Sequence, residues 1–141
     1  MTLRDDLRKV DLFHALPDAT LDQLIGGGVT LKKRPGSVLV EQGSADAGFQ
    51  LIRRGSVSVT VSGVDRGEMG PGDFFGEMSL LESAPRSATV VAGPEGAETF
   101  AVSSAAFSSL MDNNPQVARL LIPVLIRRIR AIESRTSPAG E

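Results

Sequence analysis

One arginine in this sequence sits among residues that could hold an anion. Between Gly70 and Val91 the chain reads G-P-G-D-F-F-G-E-M-S-L-L-E-S-A-P-R-S-A-T-V-V, where a loop, a helical turn and an isolated cation crowd together between strands. Gly76 lets the backbone approach another group closely. Glu77 to Leu81 is long enough for one helical turn, whose first amide hydrogens lack partners in the chain and therefore attract anions. Pro85 holds Ser83 and Ala84 extended and so limits where Arg86 points. A buried arginine needs an acceptor. A phosphate diester suits it, because two oxygens match the guanidinium fork and the single charge cancels the one being desolvated. On the residues alone a second arrangement stands beside this one, in which Arg86 pairs internally with Glu77 or Asp73 and holds the loop with no ligand.

Composition removes most other chemistry. The 141 residues contain no cysteine, which rules out disulfides, thiolate metal sites, iron–sulfur ligation and a cysteine nucleophile. The single histidine, His14, cannot build the several-histidine site of a β-barrel oxygenase or isomerase. Lying between Phe13 and Ala15, it reads as a structural residue. A net charge of -2 supplies no field that would draw in nucleic acid. The charged start, Met1-Thr2-Leu3-Arg4-Asp5-Asp6, is no signal peptide, and no apolar run is long enough to span a membrane. A cytoplasmic protein with one core is expected, a single domain over 1–135 followed by a flexible polar tail over 136–141.

The elements around the cation follow from periodicity. Leu3, Leu7 and Val10, then Leu21, Leu24 and Ile25, have helical spacing separated by Pro17-Asp18, which predicts two short helices ending at Gly26-Gly27-Gly28. From Val29 to Val102 short β-branched runs take over: Val38–Val40, Leu51-Ile52, Val57–Val61, Ala88–Val91 and Thr99–Val102. Pro35-Gly36, Gly43, Gly55, Ser62-Gly63, Gly70-Pro71-Gly72 and Gly93-Pro94-Glu95-Gly96 read as the turns between them. An antiparallel barrel or sandwich results. Helical spacing then returns, with Phe107, Leu110 and Met111 on one face. A final helix follows in which Val117, Leu120, Leu121, Val124, Leu125, Ile129 and Ile132 form the apolar face. Pro115 suits the first turn of that helix. Pro123 lies inside it and reads as a static bend or a hinge. Ser134 to Glu141 reads as a frayed tail.

The string F-F-G-E-M-S-L-L-E-S-A-P-R-S-A-T-V closely resembles the phosphate-binding cassette of cyclic-nucleotide-binding domains, the family found in bacterial catabolite activators, kinase regulatory subunits and cyclic-nucleotide-gated channels. Pro35-Gly36-Ser37-Val38, Gln42-Gly43-Ser44, Leu51–Val59 and Gly70-Pro71-Gly72-Asp73 are similar to the family as well, and the resemblance runs from about Leu12 to Arg130. It implies an α+β fold: an antiparallel, jelly-roll-like β-roll (a double-stranded β-helix) with short helices before it and two helices after it.

The resemblance also implies roles. Glu77 accepts from a ribose 2′-hydroxyl, and Arg86 binds the cyclic phosphate, helped by the amides of Gly76, Glu77 and Ser87. Phe75, Met78 and Ala88 adjoin the ligand. Ser87 gives its hydroxyl to the phosphate or the purine; a threonine there accompanies cGMP preference in the family, and a serine leaves the choice open. The family caps the base from its last helix, where Arg127 and Arg130 are the candidates, with Arg128 and Ile126 also available; a solvated basic stripe is the alternative for any of them.

The expected function is binding of cAMP in preference to cGMP, with no metal or other cofactor, by a regulatory module that signals to a separate protein partner as the last helix closes over the ligand. Too few residues follow that helix for a DNA-binding domain. A monomer or weak homodimer is expected. The alternatives are a degenerate fold that serves as a protein-interaction surface and, further off, a cupin-like enzyme.

Overall fold

Strand alternation and two long ladders set the architecture. The computed structural model describes residues 2–45, 48–81 and 85–136, without the side chains of Met78, Ile132, Arg135 and Thr136. Six strands, β1 (Val29–Lys33), β2 (Val38–Val40), β3 (Gly48–Val61), β4 (Val64–Met69), β5 (Phe74–Phe75) and β6 (Thr89–Ser103), pair antiparallel in the order β1-β6-β3-β4. β2 also pairs with β6, and β5 with β3.

β3 and β6 are each continuous where the sequence suggests two short strands. Their register runs from Gly48 opposite Ser103 to Gly55 opposite Ala97, and resumes with Val57 opposite Ala92. Residues 93–96 therefore bulge outward against a single residue of β3, a corner that folds the sheet over on itself. Gly55 has φ +75° there, and a β-carbon on it would overlap Gly96 O. Gly55 and Gly93-Pro94-Glu95-Gly96 thus make a corner within two paired strands instead of turns that end them. Ser62 and Gly63, both at positive φ, close the hairpin from Val61 to Val64 as expected. The mostly exposed β4 that follows has no β-branched run to reveal it.

Three helices precede the roll in place of the two expected: α1 (Leu3–Arg8), α2 (Asp11–His14) and α3 (Asp18–Gly26). Thr2 caps α1 by accepting from Asp5 N at 3.1 Å, and Asp5 reciprocates to Thr2 N. α2 is too short to persist alone, so packing must hold it. Arg8 contributes by donating to His14 O and Leu16 O and pairing with Asp18. Ser103, at the end of β6, caps α4 (Ser104–Asn113) by accepting from Ala106 N at 3.0 Å.

A 3-10 turn at Pro115–Val117 leads into α5 (Ala118–Thr136), which runs past Ser134, where the tail was expected to start; residues 137–141 lie outside the described residues. α5 continues through Pro123, which lies in its second turn and lacks the N–H that an ordinary residue there would donate to the carbonyl of Arg119. No helix among the described residues is long and apolar enough to cross a membrane.

Two cores result. The larger joins α1–α3, α4 and α5 to one face of the sheet, with Phe13 edge-on to Phe49 at 5.0 Å and Phe107 beside it. Each fully buried Phe or Leu there contributes roughly 1.5–3 kcal/mol, which is what secures the short helices. The smaller core fills the roll with Val40, Ile52, Val57, Val90, Ala92 and Ala97. β5 divides its two aromatics between them: Phe74 packs against Phe49 in the larger core, and Phe75 faces the smaller one. The fold is the α+β roll with helices at both ends of the chain that the resemblance implies.

Candidate functional site

The cassette is anchored on both sides by backbone hydrogen bonds. The turn before β5 is pinned to β3, since Ile52 N donates to Asp73 O and Gly72 N to Ile52 O, both at 2.9 Å. Asp73 accepts from Gly70 N within that turn. On the far side Arg86 N donates to Ser44 O and Gly43 N to Arg86 O, both at 2.9 Å, which binds the Gln42-Gly43-Ser44 loop to the backbone of Arg86. Between these anchors lie β5 and a single 3-10 turn, Glu77–Leu80; residues 82–84 lie outside the described residues.

Gly76 is where the cassette closes on itself. It adopts φ +81°, and a β-carbon there would overlap Gly48 O and lie 2.5 Å from Arg86 Nη1. Only glycine fits without displacing them. The Arg86 side chain is buried at 8% exposure, donating from Nη2 to Gly48 O at 2.8 Å and from Nη1 to Ser79 Oγ at 3.0 Å.

These residues border a cavity of about 410 Å³, within the range of small-ligand sites. Its polar end holds Gly76, Glu77, Ser79, Arg86 and Ser87. Its apolar wall holds Val40, Val59, Met69, Phe75 and Val90. Val40 and Val90 belong to the smaller core, and Val59, Met69 and Phe75 pack against it, so the wall is the open side of that core. Ala88 also borders the cavity, Ser87 is exposed, and the side chain of Met78 lies outside the described residues.

Glu77 makes an ion pair with Arg128 of α5, its side chain only 14% exposed. Burial pushes the Glu77 carboxyl above the ordinary carboxylate value; Arg128 opposes that shift through its hydrogen bond and its charge, and Asp11 adds to it. Glu77 Oε2 is buried without a hydrogen-bond partner among the described residues.

The structure thus brings Phe75, Gly76, Glu77, Arg86, Ser87 and Ala88 to one cavity. Arg127 and Arg130 are exposed and do not border it, and it is Arg128 that reaches the cassette. Arg128 lies four residues after Val124 and seven after Leu121, both buried, and so shares their inward face, a spacing that singles it out once those two are known to be the buried positions. Leu121 and Val124 of this helix are buried, as is Val117 in the 3-10 turn before it, whereas Leu120 and Ile129, expected on the apolar face, are exposed along with Ile122 and Ile126. The wall residues Val40, Val59, Met69 and Val90 are indistinguishable in sequence from ordinary core positions, and nothing in the sequence singles out Ser79.

The family model for the cyclic nucleotide-binding domain matches residues 30–114. The chain is 28% identical over 81% of its length to a cGMP-dependent protein kinase of Toxoplasma gondii, of which it spans 11%. It is 32% identical over 84% of its length to the cyclic AMP receptor protein of Thermus thermophilus, of which it spans 57%. Among solved structures it is similar to the N-terminal domain of a transcriptional regulator from Streptomyces coelicolor, with a TM-score of 0.83 and 26% identity, covering 95% of this chain and 96% of that one.

Proposed function

The chain belongs to the family of cyclic nucleotide-binding domains, and on that footing we propose that its cavity takes a cyclic nucleotide, cAMP in preference to cGMP, as the sensing step of a regulatory module. The observation that carries this reading is the division of one cavity into a polar end with Arg86 and Glu77 and an apolar wall. A cyclic phosphate at the polar end meets the Arg86 guanidinium, a charge-matched bidentate partner. The ribose 2′-hydroxyl donates to Glu77, whose buried Oε2 has acceptor capacity to spare.

The base lies along the wall. Guanine carries more hydrogen-bonding groups at its far edge than adenine, and an apolar wall leaves them unpaired, which supports cAMP. The ion pair between Glu77 and Arg128 supports α5 as the element that passes on ligand state: a ribose hydroxyl at that carboxylate changes what Arg128 is bonded to, and so favours one setting of the helix. A separate protein partner then reads α5. A monomer or weak homodimer is expected, with Ile122, Ile126 and Ile129 the exposed apolar positions of α5 that a second copy would cover. The role is binding and regulation, without catalysis, in the cytoplasm.

Calorimetric titration of nucleotide-free protein with cAMP, cGMP and 5′-AMP tests the reading. Saturable binding of cAMP at micromolar or lower concentration, with cGMP weaker and 5′-AMP weaker still, is the expected result. Folded protein that binds none of them would replace it with a fold retained as a protein-interaction surface.

A further inference from the structure

Ser79 sits in the middle of the cassette turn, and its hydroxyl is bonded to the side chain that gives the site its charge. In a 3-10 turn, positions three apart share a side. Ser79 accordingly lies above Gly76, donating its backbone N–H to Gly76 O at 3.0 Å, and borders the cavity, while the next residue, Leu80, is buried in the larger core. The turn therefore has no freedom to rotate without pulling Leu80 out.

From this fixed position Ser79 Oγ accepts from Arg86 Nη1 at 3.0 Å, and Gly48 O accepts from Nη2 at 2.8 Å. One terminal nitrogen is thus held by the turn and the other by the first residue of β3. Contacts on both terminal nitrogens constrain the plane of the fork more than either does alone. Bidentate recognition of a phosphate depends on that plane, and a fork set in advance has less freedom to lose when the anion arrives.

We propose that Ser79 is a positioning residue of the anion site, setting the orientation of Arg86 so that its fork meets the cyclic phosphate. The inference rests on the cyclic nucleotide reading of the cavity. Ser79 acts through Arg86, so its contribution must be the same for cAMP and cGMP and must depend on the fork it holds. Threonine, which keeps the hydroxyl, must replace it.

The test is a calorimetric double-mutant cycle with cAMP on the parent, Ser79→Ala, Arg86→Lys and the double variant, together with Ser79→Thr and a cGMP titration of Ser79→Ala. Ser79→Ala should weaken cAMP binding about five- to tenfold, less than the full worth of a hydrogen bond to a charged group, because Ser79 acts on the phosphate only through Arg86. The factor should be the same for cGMP, Ser79→Thr should restore most of it, and it should vanish in the Arg86→Lys background, where there is no fork to orient. A parent that binds neither nucleotide overturns the ligand reading and this one with it. A parent that binds, beside a Ser79→Ala variant that binds equally well, loses the same factor with Arg86→Lys present, or is not rescued by threonine, overturns the role of Ser79 alone.

Discussion

Arg128 on the last helix and Glu77 in the cassette turn form an ion pair largely shielded from solvent, and it joins the helix to the polar end of the cavity. Glu77 is also the group we propose for the ribose 2′-hydroxyl. Ligand chemistry and helix position therefore meet at one carboxylate, where a change on one side alters the electrostatics of the other.

Arg86→Ala should abolish most nucleotide affinity. Each charge-assisted hydrogen bond lost is worth roughly 1.5–3 kcal/mol, so two cost about 100-fold or more. The same change leaves Gly48 O without its donor, and a fall in melting temperature should accompany the binding loss. Calorimetry and thermal unfolding on one preparation measure both; affinity equal to the parent's would place the phosphate elsewhere.

Stability and affinity should respond to pH with opposite signs. The folded protein holds the Glu77 proton more tightly than the unfolded chain does, because burial raises its pKa above the reference value of 4.5. As pH falls through the raised pKa toward that reference, this group adds stability; as pH rises back through the window, the addition is lost. Nucleotide affinity should fall over the same acid window, since the protonated carboxyl is the poorer acceptor. Glu77→Gln should remove both dependences and narrow the preference for cAMP over its 2′-deoxy analogue. Urea unfolding and titrations from neutral to acid pH report the two slopes, and parallel slopes would contradict the assignment.

Ser87→Thr should raise cGMP affinity relative to cAMP. The added methyl restricts the side-chain rotamer and so orients the hydroxyl at the rim of the cavity. One better-aligned hydrogen bond of about 1 kcal/mol corresponds to roughly fivefold in the affinity ratio. Competition between the two nucleotides measures it, and an unchanged ratio would move base selection to the apolar wall.

Gly76→Ala should impair folding and binding together. The positive φ and the overlap with Gly48 O force the turn away from β3, at a cost of about 1–3 kcal/mol. The displaced turn carries Glu77 and Ser79 with it. A variant with the parent's melting temperature and affinity would show that the turn tolerates the shift.

The cassette was legible as a string because it carries residue types that ordinary strands lack, a glycine, a carboxylate and an arginine at the spacing Gly76, Glu77 and Arg86. The corner was not. Gly55 and Gly93–Gly96 carry turn chemistry, and only the ladder between β3 and β6 shows that pairing resumes beyond them. β4 and α2 escaped notice for a related reason: both are held by neighbours more than by their own periodicity. The basic residues near the end of α5 differ only in direction, and the buried face of the helix had to be known before Arg128 could be told from Arg127 and Arg130.

The pairing of β1 with β6, Val29 opposite Ala101, also governs how the chain reaches this state. A chain made from its N-terminus presents α1–α3 first, yet much of the surface those helices bury against, Phe100, Val102, Phe107 and Leu121, is made last. Loop closure across most of the domain must precede that burial, so folding is expected to be slow for this length, with the apolar faces of the early helices exposed in the interval. Substitutions that loosen β6 should therefore reduce the yield of soluble protein before they alter the cavity, and expression level is the first place to look for their effect.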